Sequence, residues 1–159
     1  MNLAYILLGS NIGDSKSLLI TATKLIAKHA GEIKTCSSIY RTSAWGNENQ
    51  DDFLNQVILI QTKYSAQALL DILLETEKKM GRSRTIKNAP RLIDLDILFF
   101  NHDIINDPEL VVPHPLMEKR RFVLVPLKEL NPLYLHPILN KTIQQLLLEC
   151  PDKLDVKKN

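Results

Sequence analysis

The chain has 159 residues, enough for one domain with a sizeable core, and 45% apolar against 24% charged residues exclude a disordered or fibrous protein. A net charge of +2 excludes attraction of the whole molecule to nucleic acid, and no stretch approaches the roughly 20 apolar residues of a membrane span. Two distant cysteines, Cys36 and Cys150, exclude a zinc knuckle and argue against a disulfide framework, so a reducing, cytoplasmic setting is expected.

In chain order, Leu3 to Leu8 reads as a first strand rather than a signal peptide, followed by turn residues Gly9-Ser10-Asn11. Asp14 can cap a helix from Ser15 to His29, with Leu18, Ala22, Leu25, Ile26 and His29 at helical spacing and Gly31 as its stop. Ile33 to Tyr40 reads as a second strand, Arg41 to Asp52 as a polar loop, and Phe53 to Thr62 as a third strand. Ser65 caps a second helix to Met80, ended by Gly81. A basic loop and a strand from Leu92 to Phe100 follow, then a turn at Asn101-His102-Asp103. Prolines 108, 113, 115, 126 and 132 break the next region into short pieces, with a helix near Phe122 to Leu130. A last helix spans Thr142 to Cys150. Strand, helix, strand, strand, helix, strand predicts one domain over residues 1–159, an α+β sandwich of the ferredoxin-like kind with helices flanking a central antiparallel sheet. That fold hosts enzymes, regulatory domains and RNA binders alike, so function has to come from the site.

The most informative segment is Leu92 to Phe100. Side chains alternate along a strand, so Asp94 and Asp96 share one face while Ile93, Leu95, Ile97 and Phe99 take the other. Carboxylates with Cα atoms roughly 6–7 Å apart can converge on a hard cation. Two like charges in a central strand would be costly without one, although a solvated face with basic neighbours would also accommodate them. From Lys78 to Arg91 there are basic residues (Lys78, Lys79, Arg82, Arg84, Lys87, Arg91) and no acidic ones. A basic loop beside a carboxylate-held metal is how the phosphates of ATP are held, which favours the cation reading.

Other positions stay open. Glu77 falls on the apolar stripe of the second helix and needs a partner, either an arginine of the next loop or a ligand. Trp45, Phe53 and Phe122 are core residues or, with Asn55, a stacking slot for a flat heterocycle. His114, between Pro113 and Pro115, is a phosphate contact or a structural histidine.

The ordered motifs LLGSNIGD (7–14), SSIYRTSAWG (37–46), DFLNQV (52–57), GRSR (81–84), APRLIDLDILFF (89–100) and VPHPLMEKRRFVLVPL (112–127) resemble the 6-hydroxymethyl-dihydropterin pyrophosphokinase family over almost the whole chain. The resemblance implies an enzyme of tetrahydrofolate biosynthesis that moves the pyrophosphate of ATP to a pterin alcohol and releases AMP. It implies two magnesium ions on Asp94 and Asp96, and a pterin ring between Phe53 and Phe122. Asn55 and the backbone of Thr42, Ser43, Ala44 and Trp45 would meet the pterin edge, with Asp94 close by. Glu77, Arg82, Arg84, Arg91, Ile97, His114 and Arg120 would form the nucleotide side, with Arg82 and Arg91 neutralising charge in transit. Partners are then small molecules only, with no nucleic acid and no membrane, and the chain a monomer. Two non-catalytic alternatives on the same fold are an RNA-binding module, which needs exposed aromatics on a basic sheet face, and a ligand-sensing domain.

Overall fold

A computed structural model describes residues 1–43, 52–81 and 92–159. Strands β1 (Asn2–Ser10), β2 (Glu32–Cys36), β3 (Tyr40–Thr42), β4 (Phe53–Thr62), β5 (Asp94–Phe100) and β8 (Val156–Lys158) form a six-stranded antiparallel sheet among these residues. The path is β5-β1-β4-β3-β8, and β2 also pairs with β4. Helices α1 (Ser15–His29) and α2 (Ala66–Lys79) cover one face, α3 (Arg121–Leu130) and α4 (Ile143–Glu149) the other. A small hairpin, β6 (Ile105–Asn106) and β7 (Val111–Val112), leads into a 3-10 turn at Met117–Lys119. The first five strands, taken with α1 and α2, reproduce the expected ferredoxin-like order, with the last strand beside the first.

Helix starts follow the sequence signals. The Asp14 carboxylate accepts from the Ser17 backbone N–H, Ser65 Oγ from Ala68, and Thr142 forms a reciprocal capping box with Gln145. The buried stripe of α1 is Leu19, Ala22 and Ile26, one residue displaced at its start from the expected Leu18. Gly81 ends α2 at φ +86°, a conformation that strains any residue with a β-carbon. Pro126 lies inside α3, yet that helix runs unbroken from Arg121 to Leu130.

Three expectations need correction. The second strand is two strands: four steps from Cys36 to Tyr40 lie against three from Ile58 to Asn55, so one residue is extra. Ser37 bridges this break, its N–H donating to Val57 O at 2.8 Å and its Oγ accepting from Val57 N at 3.0 Å. Strand β5 is the sheet's edge, not its centre. Finally, the β1–β5 register slips between Tyr5 and Ile6, with Ile6 opposite Ile97 and Tyr5 opposite Phe99. Leu98 is the extra residue, and alternation restarts after it. Ile93, Leu95 and Ile97 fill the core beneath α1 and α2 as expected, whereas Phe99 lies with Leu98 in the core beneath α3 and α4.

Candidate active site

Directly opposed residues of an antiparallel pair point to the same face. Asp94 lies opposite Gly9, Gly9 opposite Asn55, and Asn55 opposite Tyr40. One step away Asp96 lies opposite Leu7 and Leu7 opposite Val57, while Phe53 lies opposite Thr42. Leu7 and Val57 belong to the core under α3, so Asp94, Asp96, Asn55, Phe53 and Thr42 share the α3 face of the sheet. Phe122, in the first turn of α3, packs half-buried against the same cluster. The sheet thus puts the expected carboxylate pair, amide and Phe53 on one face, the face on which α3 carries Phe122.

Gly9 shapes this site, and the sequence reading places it in a turn. The glycine is inside β1, midway between Asp94 and Asn55. Two strand spacings put those residues roughly 10 Å apart, with bare backbone between them. A β-carbon at Gly9 would stand 2.7 Å from Asn55 Nδ2, so the amide leans over the glycine. Asn55 is buried and its Nδ2 reaches Leu8 O only at 3.5 Å, the limit of a hydrogen bond. Thr42 Oγ1 is buried on the same face with no partner among the described residues. A buried hydroxyl without a partner costs about 1–3 kcal/mol, so this hydroxyl is a position where a polar group of a ligand would be stabilising.

The nucleotide-side expectations gather at a different place, the outer edge of β5. The Leu95 N–H points outward there and donates to Glu77 Oε2 at 2.8 Å, so the buried glutamate of α2 is a cap on the edge strand. Ile97 has its side chain in the α1/α2 core, and alternation leaves its backbone facing the edge. The His114 N–H donates to Leu98 O at 3.0 Å, laying the Pro113-His114-Pro115 segment along the same strand, and His114 Nδ1 lies 3.0 Å from Pro115 O. Arg120 is exposed at the start of α3, its guanidinium 5.9 Å from the Phe122 ring centroid, a cation–π contact. Ser43 is exposed just beyond β3. Ala44, Trp45, Arg82, Arg84 and Arg91 lie outside the described residues.

The donor set fits magnesium. Asp94 and Asp96 are half-exposed carboxylates on one face, hard-oxygen donors of the kind Mg²⁺ takes one or two at a time, completing its octahedron with water and phosphate oxygens. Among the described residues no group of three or more His, Cys, Asp or Glu forms a closed metal cage.

An α+β sandwich whose sheet face carries two carboxylates, a glycine floor, a buried amide and two rings belongs to the small-molecule enzymes. The profile of the 7,8-dihydro-6-hydroxymethylpterin-pyrophosphokinase (HPPK) family matches residues 5–132. A 2-amino-4-hydroxy-6-hydroxymethyldihydropteridine pyrophosphokinase of Aquifex aeolicus is 40% identical over 145 residues, 91% of this chain and 90% of that protein. The enzyme of the same name from Bacillus subtilis is 45% identical over 130 residues, 81% of this chain and 78% of that protein. In structure, the chain superposes on Plasmodium falciparum HPPK-DHPS with a TM-score of 0.79 at 20% identity, covering 93% of this chain and 45% of that one, a likeness of fold. The chain belongs to the 7,8-dihydro-6-hydroxymethylpterin-pyrophosphokinase family. Neither the RNA-binding nor the ligand-sensing alternative keeps any support.

Proposed function

We propose that this chain transfers the pyrophosphate of ATP to the hydroxymethyl group of 6-hydroxymethyl-7,8-dihydropterin in tetrahydrofolate biosynthesis, releasing AMP. The observation that carries the reading is the row Asp94–Gly9–Asn55, with Asp96 beside it and Phe53 and Phe122 at its margin. The pterin lies over the glycine floor between the two rings, its polar edge against Asn55 and the segment Thr42 to Trp45. This places its hydroxymethyl group beside Asp94. ATP runs along the outer edge of β5 past Glu77, the Ile97 backbone, His114 and Arg120, with Arg82, Arg84 and Arg91 on its phosphates.

Chemistry follows from positioning. The hydroxymethyl oxygen attacks the β-phosphorus in line. The bond from that phosphorus to the α–β bridging oxygen breaks, AMP leaves with the electron pair, and the hydroxyl proton is lost to solvent. Asp94 and Asp96 would hold magnesium, two ions in this reading, which when bound would supply Lewis-acid neutralisation of the phosphate oxygens. Arg82 and Arg91 bind the oxygens on which charge accumulates. Residues 1–159 act as one pyrophosphokinase domain, monomeric and cytoplasmic. No helix among the described residues is long and apolar enough to cross a membrane.

The test is AMP formation from ATP and hydroxymethyl-dihydropterin, with and without magnesium. Magnesium-dependent AMP without ADP is expected. ADP as the product, or no AMP from protein that binds both substrates, refutes the reading.

A further inference from the structure

Beyond the substrate-binding residues, the structure carries a polar clamp that none of the assigned roles uses. Glu129, in the last turn of α3, lies against the break between β2 and β3. Its carboxylate accepts the Ser38 N–H at 3.1 Å on Oε1 and 3.0 Å on Oε2, the Ser38 hydroxyl at 3.1 Å, and the Tyr40 hydroxyl at 2.5 Å. The chain separations are 89 and 91 residues, so these bonds tie two distant parts of the fold together. Tyr40 is 5% exposed, and burial followed by the Glu129 contact pushes its hydroxyl up to about 12, so it remains a donor throughout the working pH range.

The two tethered elements are the two walls of the slot. Helix α3 carries Phe122, seven residues or about 10 Å of helix before Glu129. Strand β3 carries Thr42, two residues after Tyr40, and pairs with Phe53 and Asn55. The apolar packing of α3 on the sheet centres on Val123, Leu124 and Leu127, and apolar burial is non-directional. It holds the helix down but leaves its slide and roll weakly specified. Strand β3 follows an irregular break and is paired on both sides, with β4 and β8, over only three residues. A carboxylate taking three donors from that break supplies the missing direction. At the other end of α3 the Arg121 N–H donates to Asp152 Oδ2 at 3.0 Å and its Nε to Leu154 O at 3.0 Å, just before β8 pairs with β3. The helix is thus referenced to the same short strand at both ends.

We infer that Glu129, with Tyr40 and Ser38, is a positioning clamp that sets the spacing between the Phe122 wall and the Phe53–Thr42 wall, and so the affinity for the flat heterocycle. The inference rests on the pterin reading above. A clamp of this kind acts on the heterocycle and not on the nucleotide, because the ATP residues described here, other than Arg120, lie along β5 at the opposite edge of the sheet.

The experiment is fluorescence titration of hydroxymethyl-dihydropterin, with steady-state kinetics for ATP, on wild type, Glu129→Ala, Tyr40→Phe and the double variant. Glu129→Ala is expected to raise the pterin dissociation constant about tenfold and Tyr40→Phe about threefold, while the KM for ATP stays within about twofold. The double variant should bind no more weakly than Glu129→Ala, since both act through one carboxylate. A merely structural role would lower the melting temperature while folded protein bound pterin normally, and that result overturns the clamp. Pterin and ATP constants rising together also overturn it. If Glu129→Ala does not fold, Tyr40→Phe alone decides. Wild-type protein that binds no pterin sinks the reading itself, whereas wild type and variants binding equally well sink only the clamp.

Discussion

Replacing Gly9 by alanine puts the account of the site under the most direct strain. The backbone at Gly9 is ordinary strand, so the substitution brings no conformational penalty of its own; the whole effect comes from what the methyl meets. It would stand 2.7 Å from Asn55 Nδ2, closer than real β-carbons approach other atoms, with the next neighbours at 3.9 Å. Only the amide has to move, and it is buried at the site with a weak 3.5 Å bond to Leu8 O. Overpacking of this kind costs about 1–3 kcal/mol, and the single contact places it near the lower end. About 1 kcal/mol corresponds to a melting temperature lower by about 2–4 °C in a domain of this size. The larger effect should be on ligand. The methyl raises the floor of the slot and turns Asn55 away from the pterin edge, removing one or two hydrogen bonds. That corresponds to about a tenfold to hundredfold weaker pterin affinity. Titration and thermal unfolding of Gly9→Ala, Asn55→Ala and the double variant decide the matter. The double variant should recover the stability lost in Gly9→Ala, because the clashing atom is gone, but not the affinity. A Gly9→Ala protein with wild-type affinity would show that the heterocycle does not lie over this floor.

Three further outcomes follow from the same geometry. Asp96→Ala should lower AMP formation by at least about a thousandfold while pterin affinity stays within a few-fold, if the carboxylate holds the metal as proposed; near-normal turnover measured by AMP release would contradict that role. Phe122→Ala should weaken pterin binding about fivefold, the value of one ring face at about 1 kcal/mol, and unchanged fluorescence titration would remove Phe122 from the slot. His136 is buried, with Nδ1 accepting the Ile138 and Leu139 N–H groups at 3.2 and 3.1 Å, and burial lowers its folded pKa with Glu118 offsetting part of the shift. The unfolded chain therefore takes up a proton before the folded one does. Stability should fall as pH drops below about 6.5, by at most about 1.4 kcal/mol per pH unit from this group. Urea midpoints at pH 7.5 and 5.5 should differ less in His136→Asn than in wild type, and an equal difference would assign the pH dependence elsewhere.

The parts of this protein legible in its sequence are those governed by local chemistry. Asp14 and Ser65 cap the helices they precede because short oxygen-bearing side chains satisfy free N–H groups wherever a helix starts, whereas Thr142, read as the first helical residue, is itself a cap. The Asp94–Asp96 face could be read because alternation holds up to Ile97. What escaped reading depends on partners far along the chain. Leu98 bulges only in relation to β1, so the sequence assigns Phe99 to the wrong core. The break at Ser37–Ile39 is visible only against β4, and β8, with Val156-Lys157-Lys158, has little strand propensity and forms because β3 offers an edge. Glu77 could be marked as anomalous, yet that it accepts the Leu95 backbone N–H is a bond no side-chain pattern announces.

The bulge also explains how one sheet face serves as both core and site. Up to Ile97 the α3 face of β5 shows Asp94 and Asp96; from Leu98 onward it shows two consecutive apolar residues, Leu98 and Phe99, under Met117, Val123 and Leu127. Strict alternation would place Leu98 there but send Phe99 to the α1/α2 side, leaving the α3 layer without the ring that packs edge-on with Tyr5 and His136 and against Tyr134. The extra residue supplies that ring and so anchors the layer that presents Phe122. It also turns the Leu98 carbonyl to the His114 N–H, fixing that segment along the outer edge of β5. One irregular residue therefore links the core that supports Phe122 to the outer edge of β5, along which the proposed nucleotide would lie. Bulges beside active sites redirect strands in this way, and here the redirected strand is the one that carries both carboxylates.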